Sequence, residues 1–236
     1  MNNLKTMLKW EFLLLYRYKI IHITFLSIFL YIVSLEITSS TAIIPESDML
    51  PMLLFFDPAI IGIMFVGALV LFEKAENTLQ SLVVTPMKVW EYISSKIISL
   101  TILAAVSAVL FVILATRSFD FNYFYLFVGI ILTSVFLILV GFILVARLNS
   151  INEYLLTMML AFLGLTLPPL VHINGIYENV IFYLWPTQAS FILFNGVFEG
   201  IELWEAVYSI VYLSIWIVIL FIISKRAFYK HIVQKG

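Results

Sequence analysis

The chain reads as an all-α integral membrane protein with six transmembrane helices. An N-terminal interfacial helix, a short amphipathic helix between the second and third spans, and a re-entrant helix pair before the last span complete the architecture. Three observations predict it. Of 236 residues, 63% are hydrophobic and only 11% charged, with a mean hydropathy of +1.10, which leaves too little polar surface to cover a globule in water. Six apolar stretches are long enough to cross a bilayer, for which a helix needs roughly 20 residues. When these stretches are threaded alternately, twelve of the thirteen Lys and Arg residues fall on one side, the asymmetry that orients membrane proteins.

The elements follow in chain order. Residues 1–19 pattern as an interfacial helix, with Leu4, Leu8, Leu15 and Tyr18 on one stripe and Asn2, Lys5, Thr6 and Lys9 opposite. Such a helix lies in the cytoplasmic interface before the chain turns into the bilayer. Glu11 interrupts the apolar stripe, which means either a carboxylate paired with a nearby base or a contact to another subunit. The first span, Ile20 to Ile37, has full membrane length and reads as a retained anchor rather than a cleaved signal.

The second span runs over Pro58 to Phe72, with Leu53 to Phe56 just before it. Asp57-Pro58 is a natural N-cap followed by proline at the first helical position, and a place in a transport pathway is the other reading of Asp57. The third to sixth spans are Ile97 to Ala115, Tyr123 to Val145, Tyr154 to Val171, and Ala206 to Ser224. Gly129, Thr133 and Gly141 share one face of the fourth and predict close helix packing.

Charge separates the two sides. Lys5, Lys9, Arg17 and Lys19 precede the first span, Lys74, Lys88 and Lys96 lie between the second and third, Arg147 follows the fourth, and Lys225, Arg226, Lys230 and Lys235 follow the last. Arg117 alone is opposite, where the loops carry Glu36, Glu46, Asp48, Asp120, Glu178, Glu199, Glu202 and Glu205. The expectation is a multi-pass protein of the cell membrane with both termini cytoplasmic, forming one transmembrane domain over 1–236.

Residues 172–203 are apolar but interrupted by Asn174, Gly175, Pro186, Gln188, Asn195 and Gly196, directly after Pro168 and Pro169. A full crossing here would put the basic C-terminal tail outside, so two short helices, about Tyr177 to Trp185 and Thr187 to Phe198, are expected to dip into the outer leaflet, broken at Pro186. Such backbone survives at membrane depth only against protein or a cavity.

Function classes narrow next. The chain has no cysteine, hence no disulfide and no thiolate chemistry. His22, His172 and His231 show no metal-ligand spacing, GxSxG and GxxxxGK[S/T] motifs are absent, and no nucleic-acid patch is evident. No Asp, Glu, Lys or Arg occurs at positions 97–116, 121–146, 154–177 or 206–224, which argues against ion coupling, since carriers of that kind place ionisable residues in their spans. An apolar or amphipathic substrate fits better.

The polar segment 73–96, EKAENTLQSLVVTPMKVWEYISSK, is the remaining signal. Thr78, Leu79, Leu82 and Val83 recur at helical spacing, and Pro86 ends that helix or starts a new turn. Physics alone leaves a bilayer-hugging linker and a partner-facing helix both open. The run resembles the signature loop of type-2 ABC exporter permeases, in which an acidic end of the second span leads into Gly-Thr-Leu, a Leu-rich turn, Thr-Pro and a Lys opening the third span. The matching residues are Glu76, Thr78, Leu79, Leu82, Thr85, Pro86 and Lys96, with Asn77 in place of the usual glycine, a residue that also visits left-handed angles. Its wording is closest to the drug-export branch that includes fluoroquinolone permeases. Glu11 and Arg17 resemble the family's interfacial helix, and the broken helices resemble its outer re-entrant pair.

That resemblance implies a coupling helix, with Lys88 beside it, that sits in a groove of a cytoplasmic ABC ATPase. It also implies a second permease subunit, identical or paralogous, paired around a central pathway, for which the residues of the spans offer Asp57, Gly67 and Thr157 as candidates. It implies no cofactor in this chain, with ATP and Mg held by the partner. The expected function is outward movement of a drug, lipid or peptide. An ion-coupled secondary transporter or a non-catalytic membrane assembly subunit are the alternatives.

Overall fold

The computed structural model describes residues 3–41, 46–76, 78–79, 88–173 and 179–230. Among them the fold is helical, and six helices have the length and apolarity to cross a membrane: Ile20–Thr38, Met49–Ala75, Val89–Thr116, Tyr123–Arg147, Ile151–Ile173 and Leu203–Phe228. An N-terminal helix, Asn3–Arg17, precedes them. Its Glu11 and Leu15 are buried against the bundle, while Trp10, Leu13 and Tyr16 are exposed, so one face meets protein and another is left for lipid. The chain turns into the first span at Lys19, whose φ of 59° lies in the left-handed region that non-glycine residues visit sparingly.

The second and fourth spans form the core. They cross closely because Gly141 lacks a side chain where a Cβ would stand 2.4 Å from Val66 Cγ1 and 3.1 Å from the Ile63 carbonyl. Gly129 likewise leaves room for Phe194, and Thr133 is fully buried on the same face. With no hydrophobic drive between helices in lipid, such small residues let backbones approach. The first, fifth and sixth spans are mostly exposed along their lengths and form the periphery.

The second span differs from its sequence reading. It is one continuous rod, α-helical over Glu46–Ala59, π-helical over Ile60–Phe65 and α-helical again over Val66–Ala75. Asp57 is therefore not an N-cap. Both Pro51 and Pro58 lie inside the helix, and the π turn directly follows Pro58, whose missing N–H already breaks the regular ladder. Freed from capping, the buried Asp57 carboxylate accepts a hydrogen bond from Ser107 of the third span.

The fifth span shows a related device. Pro168 and Pro169 cannot donate to the carbonyls four residues back, those of Gly164 and Leu165. Trp185 Nε1 donates to the Gly164 carbonyl at 2.9 Å, and the Thr187 hydroxyl donates to that of Leu165. Both donors belong to the segment before the sixth span, a 3-10 turn Val180–Leu184 followed by the helix Pro186–Phe198. Pro186 starts that helix at its first turn rather than breaking one, and residues 177–178 of the expected first short helix lie outside the described set. The helix is buried almost throughout, with Phe191 stacked on Phe55 at 4.3 Å between ring centroids. Tyr208 and Tyr212 of the sixth span donate to the carbonyls of Tyr183 and Leu184. Irregular backbone at membrane depth thus finds its partners in neighbouring helices.

Candidate functional site

The ends of the second and third spans extend into the polar segment, so that Glu73 and Lys96 belong to helices rather than to a loop. This brings two carboxylates and one ammonium together. Lys96 Nζ lies 3.0 Å from both carboxylate oxygens of Glu11 and 2.6 Å from Glu73 Oε1. Tyr92 completes the cluster by donating its hydroxyl to Glu73 Oε2, and the Lys96 ammonium stands 5.0 Å from the Tyr92 ring centroid. Lys96 is 0% exposed, Glu11 4% and Glu73 7%.

Local sequence dictates this geometry. Tyr92 and Lys96 are four apart and so share one face of a helix, and Glu73 lies in the last turn of the neighbouring helix, two residues beyond the buried Leu71. Glu11 sits in the buried stripe of the N-terminal helix. Burial pushes the Glu11 carboxyl above the usual carboxylate range, against the pull of the Lys96 ammonium. A buried ion pair of this kind adds little net stability over an apolar replacement, yet removal of one partner leaves an uncompensated charge. The cluster therefore specifies an arrangement: the N-terminal helix, the end of the second span and the start of the third are locked in mutual register.

Further contacts hold the described residues at the two ends of the connecting segment. Tyr18 donates to Glu76 Oε1 at 3.0 Å and stacks on Phe72 at 4.8 Å, and burial followed by the Glu76 hydrogen bond pushes the Tyr18 phenol up. Thr78 Oγ1 donates to the Glu73 carbonyl at 2.9 Å, and Leu79 is buried. The Lys88 amide donates to Glu91 Oε2 at 2.9 Å, capping the third span. Lys74 Nζ donates to the carbonyls of Val145 at 2.9 Å and Leu148 at 2.7 Å, where a cation meets the negative end of the fourth span.

Of the residues singled out from sequence, Glu11 belongs to this cluster, Thr78 bonds the Glu73 carbonyl and Glu76 bonds Tyr18, while Leu79 is buried and Lys88 caps the third span. Arg17 is exposed in the last turn of the N-terminal helix. Leu82, Thr85 and Pro86 lie outside the described residues. Asp57, Gly67 and Thr157 do not converge. Gly67 is filled by Tyr154, whose ring would stand 1.9 Å from a Cβ there and whose hydroxyl donates to the Ile63 carbonyl in the π turn. Thr157 Oγ1 returns to the Glu153 carbonyl at 2.8 Å, within its own helix.

Sequence reasoning left Glu73, Tyr92 and Lys74 without roles. The available signal was Glu11 itself, since a carboxylate in an apolar stripe demands a buried base, and Lys96 is one of the bases directly at a span boundary.

Six apolar helices, with a buried lock of charge and a short polar connection at one end, are the construction of a multi-pass membrane permease. The chain belongs to the fluoroquinolones export permease protein family, whose model matches residues 2–236. The fluoroquinolones export permease proteins of two strains of Mycobacterium tuberculosis are each 31% identical over 240 residues, covering 100% of this chain and 99% of theirs. No solved structure matches the chain.

Proposed function

We propose that the chain is the permease subunit of an ATP-driven ABC exporter that moves an amphipathic or apolar substrate out across the cell membrane. The observation that carries this reading is the lock between Glu11, Glu73 and Lys96, which joins both helices flanking the segment 76–88 to the N-terminal helix. A push on that segment by a cytoplasmic partner is then delivered to three elements together. The lock at Lys96, the caps at Lys74 and Lys88 and the resemblance to the type-2 loop support one role, a coupling helix docked on a separate ATPase that holds ATP and Mg. A second permease copy, identical or paralogous, covers the exposed peripheral spans. Names of the mycobacterial relatives point to a planar, amine-bearing drug as the substrate class. Ion coupling finds support in Asp57 alone and assigns no task to the lock.

The test is on the connecting segment. Leu82→Asp, and Pro86→Ala combined with Val83→Glu, should leave the permease folded in the membrane and reduce co-purification of a co-expressed ABC ATPase subunit, or uncouple hydrolysis from export. Normal assembly and export in both variants would reduce the segment to a linker. Orientation is tested separately. Single cysteines at Ser47 and Glu199 should react with an impermeant thiol reagent in intact cells, and ones at Lys88 and Gln234 should not.

A further inference from the structure

Asp57 is the one acidic group that the lock does not use and that lies well inside a span. It is 1% exposed, eight residues in from Met49 at the start of the second membrane helix, so about 12 Å along the helix from its outer end at 1.5 Å per residue. Among the described residues no base stands within ion-pair distance of it. What surrounds it is chemically specific. Ser107 of the third span donates to its Oδ2, and Ser27 of the first span, whose hydroxyl donates to the Thr24 carbonyl at 2.7 Å, lies beside it. The half-buried Tyr31 of the first span lies nearby, and its phenol oxygen is closed to solvent and has no hydrogen-bond partner. The Tyr31 ring meets that of Phe111, one turn beyond Ser107, edge-on at 6.0 Å between centroids.

An ionisable side chain at this depth costs several kcal/mol and ordinarily pairs with another charge or serves a pathway. A buried carboxylate with the Tyr31–Phe111 ring pair one turn away along the third span, a spare phenol oxygen and no resident base has the complement of an organic ammonium ion. The carboxylate supplies the countercharge, the ring faces attract the cation electrostatically, and the Tyr31 oxygen accepts an N–H. A lysine partner would make the group a second structural lock like that of Lys96, and none is there. A metal ion is a poorer fit, because one carboxylate and hydroxyls supply too few hard oxygens.

We propose that Asp57, with Ser107, Tyr31 and Phe111, is the recognition site for the protonated amine of an amphipathic substrate where the first three spans meet. The proposal rests on the export reading above and supplies its substrate selectivity. In the present state the site is closed around the carboxyl, so entry of the amine accompanies separation of the first span from the second and third.

The test uses purified full-length permease in detergent and two probes, norfloxacin, which carries a piperazinyl ammonium, and N-acetylnorfloxacin, in which acetylation removes that charge and leaves the aromatic core. Equilibrium binding should favour norfloxacin by about tenfold in the wild type, the scale of a desolvated cation–aromatic contact with a countercharge. Asp57→Asn should abolish the preference while the affinity for the acetylated probe stays within about twofold, which also shows that the variant is folded. Asp57→Glu should retain part of the preference. Equal binding of the two probes by the wild type, or a preference that survives Asp57→Asn, would overturn the assignment and leave the export reading intact. Failure of the wild type to bind either probe would overturn both the site and the amine-bearing drug as substrate class.

Discussion

Glu11 and Lys96 are 85 residues apart in sequence and meet at 3.0 Å through both carboxylate oxygens in a site closed to solvent. That contact ties the N-terminal helix to the start of the third span. Its value is geometrical. Two carboxylates share one ammonium, so the cluster holds only while all three elements keep their positions.

Replacement of the base should therefore be costly. Lys96→Met leaves Glu11 and Glu73 facing each other in a buried site and should destabilise the permease by roughly 3–5 kcal/mol, the usual penalty for stranding a buried charge. The triple variant Glu11→Gln, Glu73→Gln, Lys96→Met removes every charge and should recover most of that loss. Thermal unfolding in detergent reads both. A triple variant that is stable yet fails to couple ATP hydrolysis to export would show that the lock serves transmission more than stability.

The paired prolines of the fifth span make a second prediction. Trp185→Phe deletes the donor to the Gly164 carbonyl and should cost about 1 kcal/mol, the net worth of one hydrogen bond. Pro168→Ala returns an N–H to that same carbonyl. In a double-mutant cycle the Trp185→Phe penalty should shrink in the Pro168→Ala background, because the carbonyl is then satisfied within its own helix. Additive effects would separate the two residues.

Gly67 supplies a third. A methyl group there collides with the Tyr154 ring, 1.9 Å away, and should cost about 1–3 kcal/mol by overpacking. Gly67→Ala combined with Tyr154→Leu should be better tolerated than Gly67→Ala alone, by thermal unfolding of the three proteins side by side.

Much of the architecture was legible in the sequence because the bilayer simplifies the problem. Length and apolarity mark a span, and Lys and Arg mark a side, so the six crossings and the helix Pro186–Phe198 follow from composition and two prolines. Asp57 was misread because Asp-Pro is a strong capping pair in water, whereas in lipid the helix continued through Pro51 and Pro58 and absorbed the irregularity as a π turn. The boundary at Glu73 and Lys96 was drawn at the charges themselves. Their helices run on past it because each charge found a partner, a long-range pairing that no local pattern encodes. Gly67 showed its smallness in the sequence and concealed its reason, which is an aromatic ring 87 positions away.

The energy source decides the account most directly. In cells expressing the permease with its ATPase, norfloxacin efflux should continue when an ionophore collapses the proton gradient while ATP is held constant, since the lock and the segment 76–88 transmit a push from hydrolysis. Efflux that stops with the gradient at unchanged ATP would contradict the ABC reading and make the permease an ion-coupled carrier.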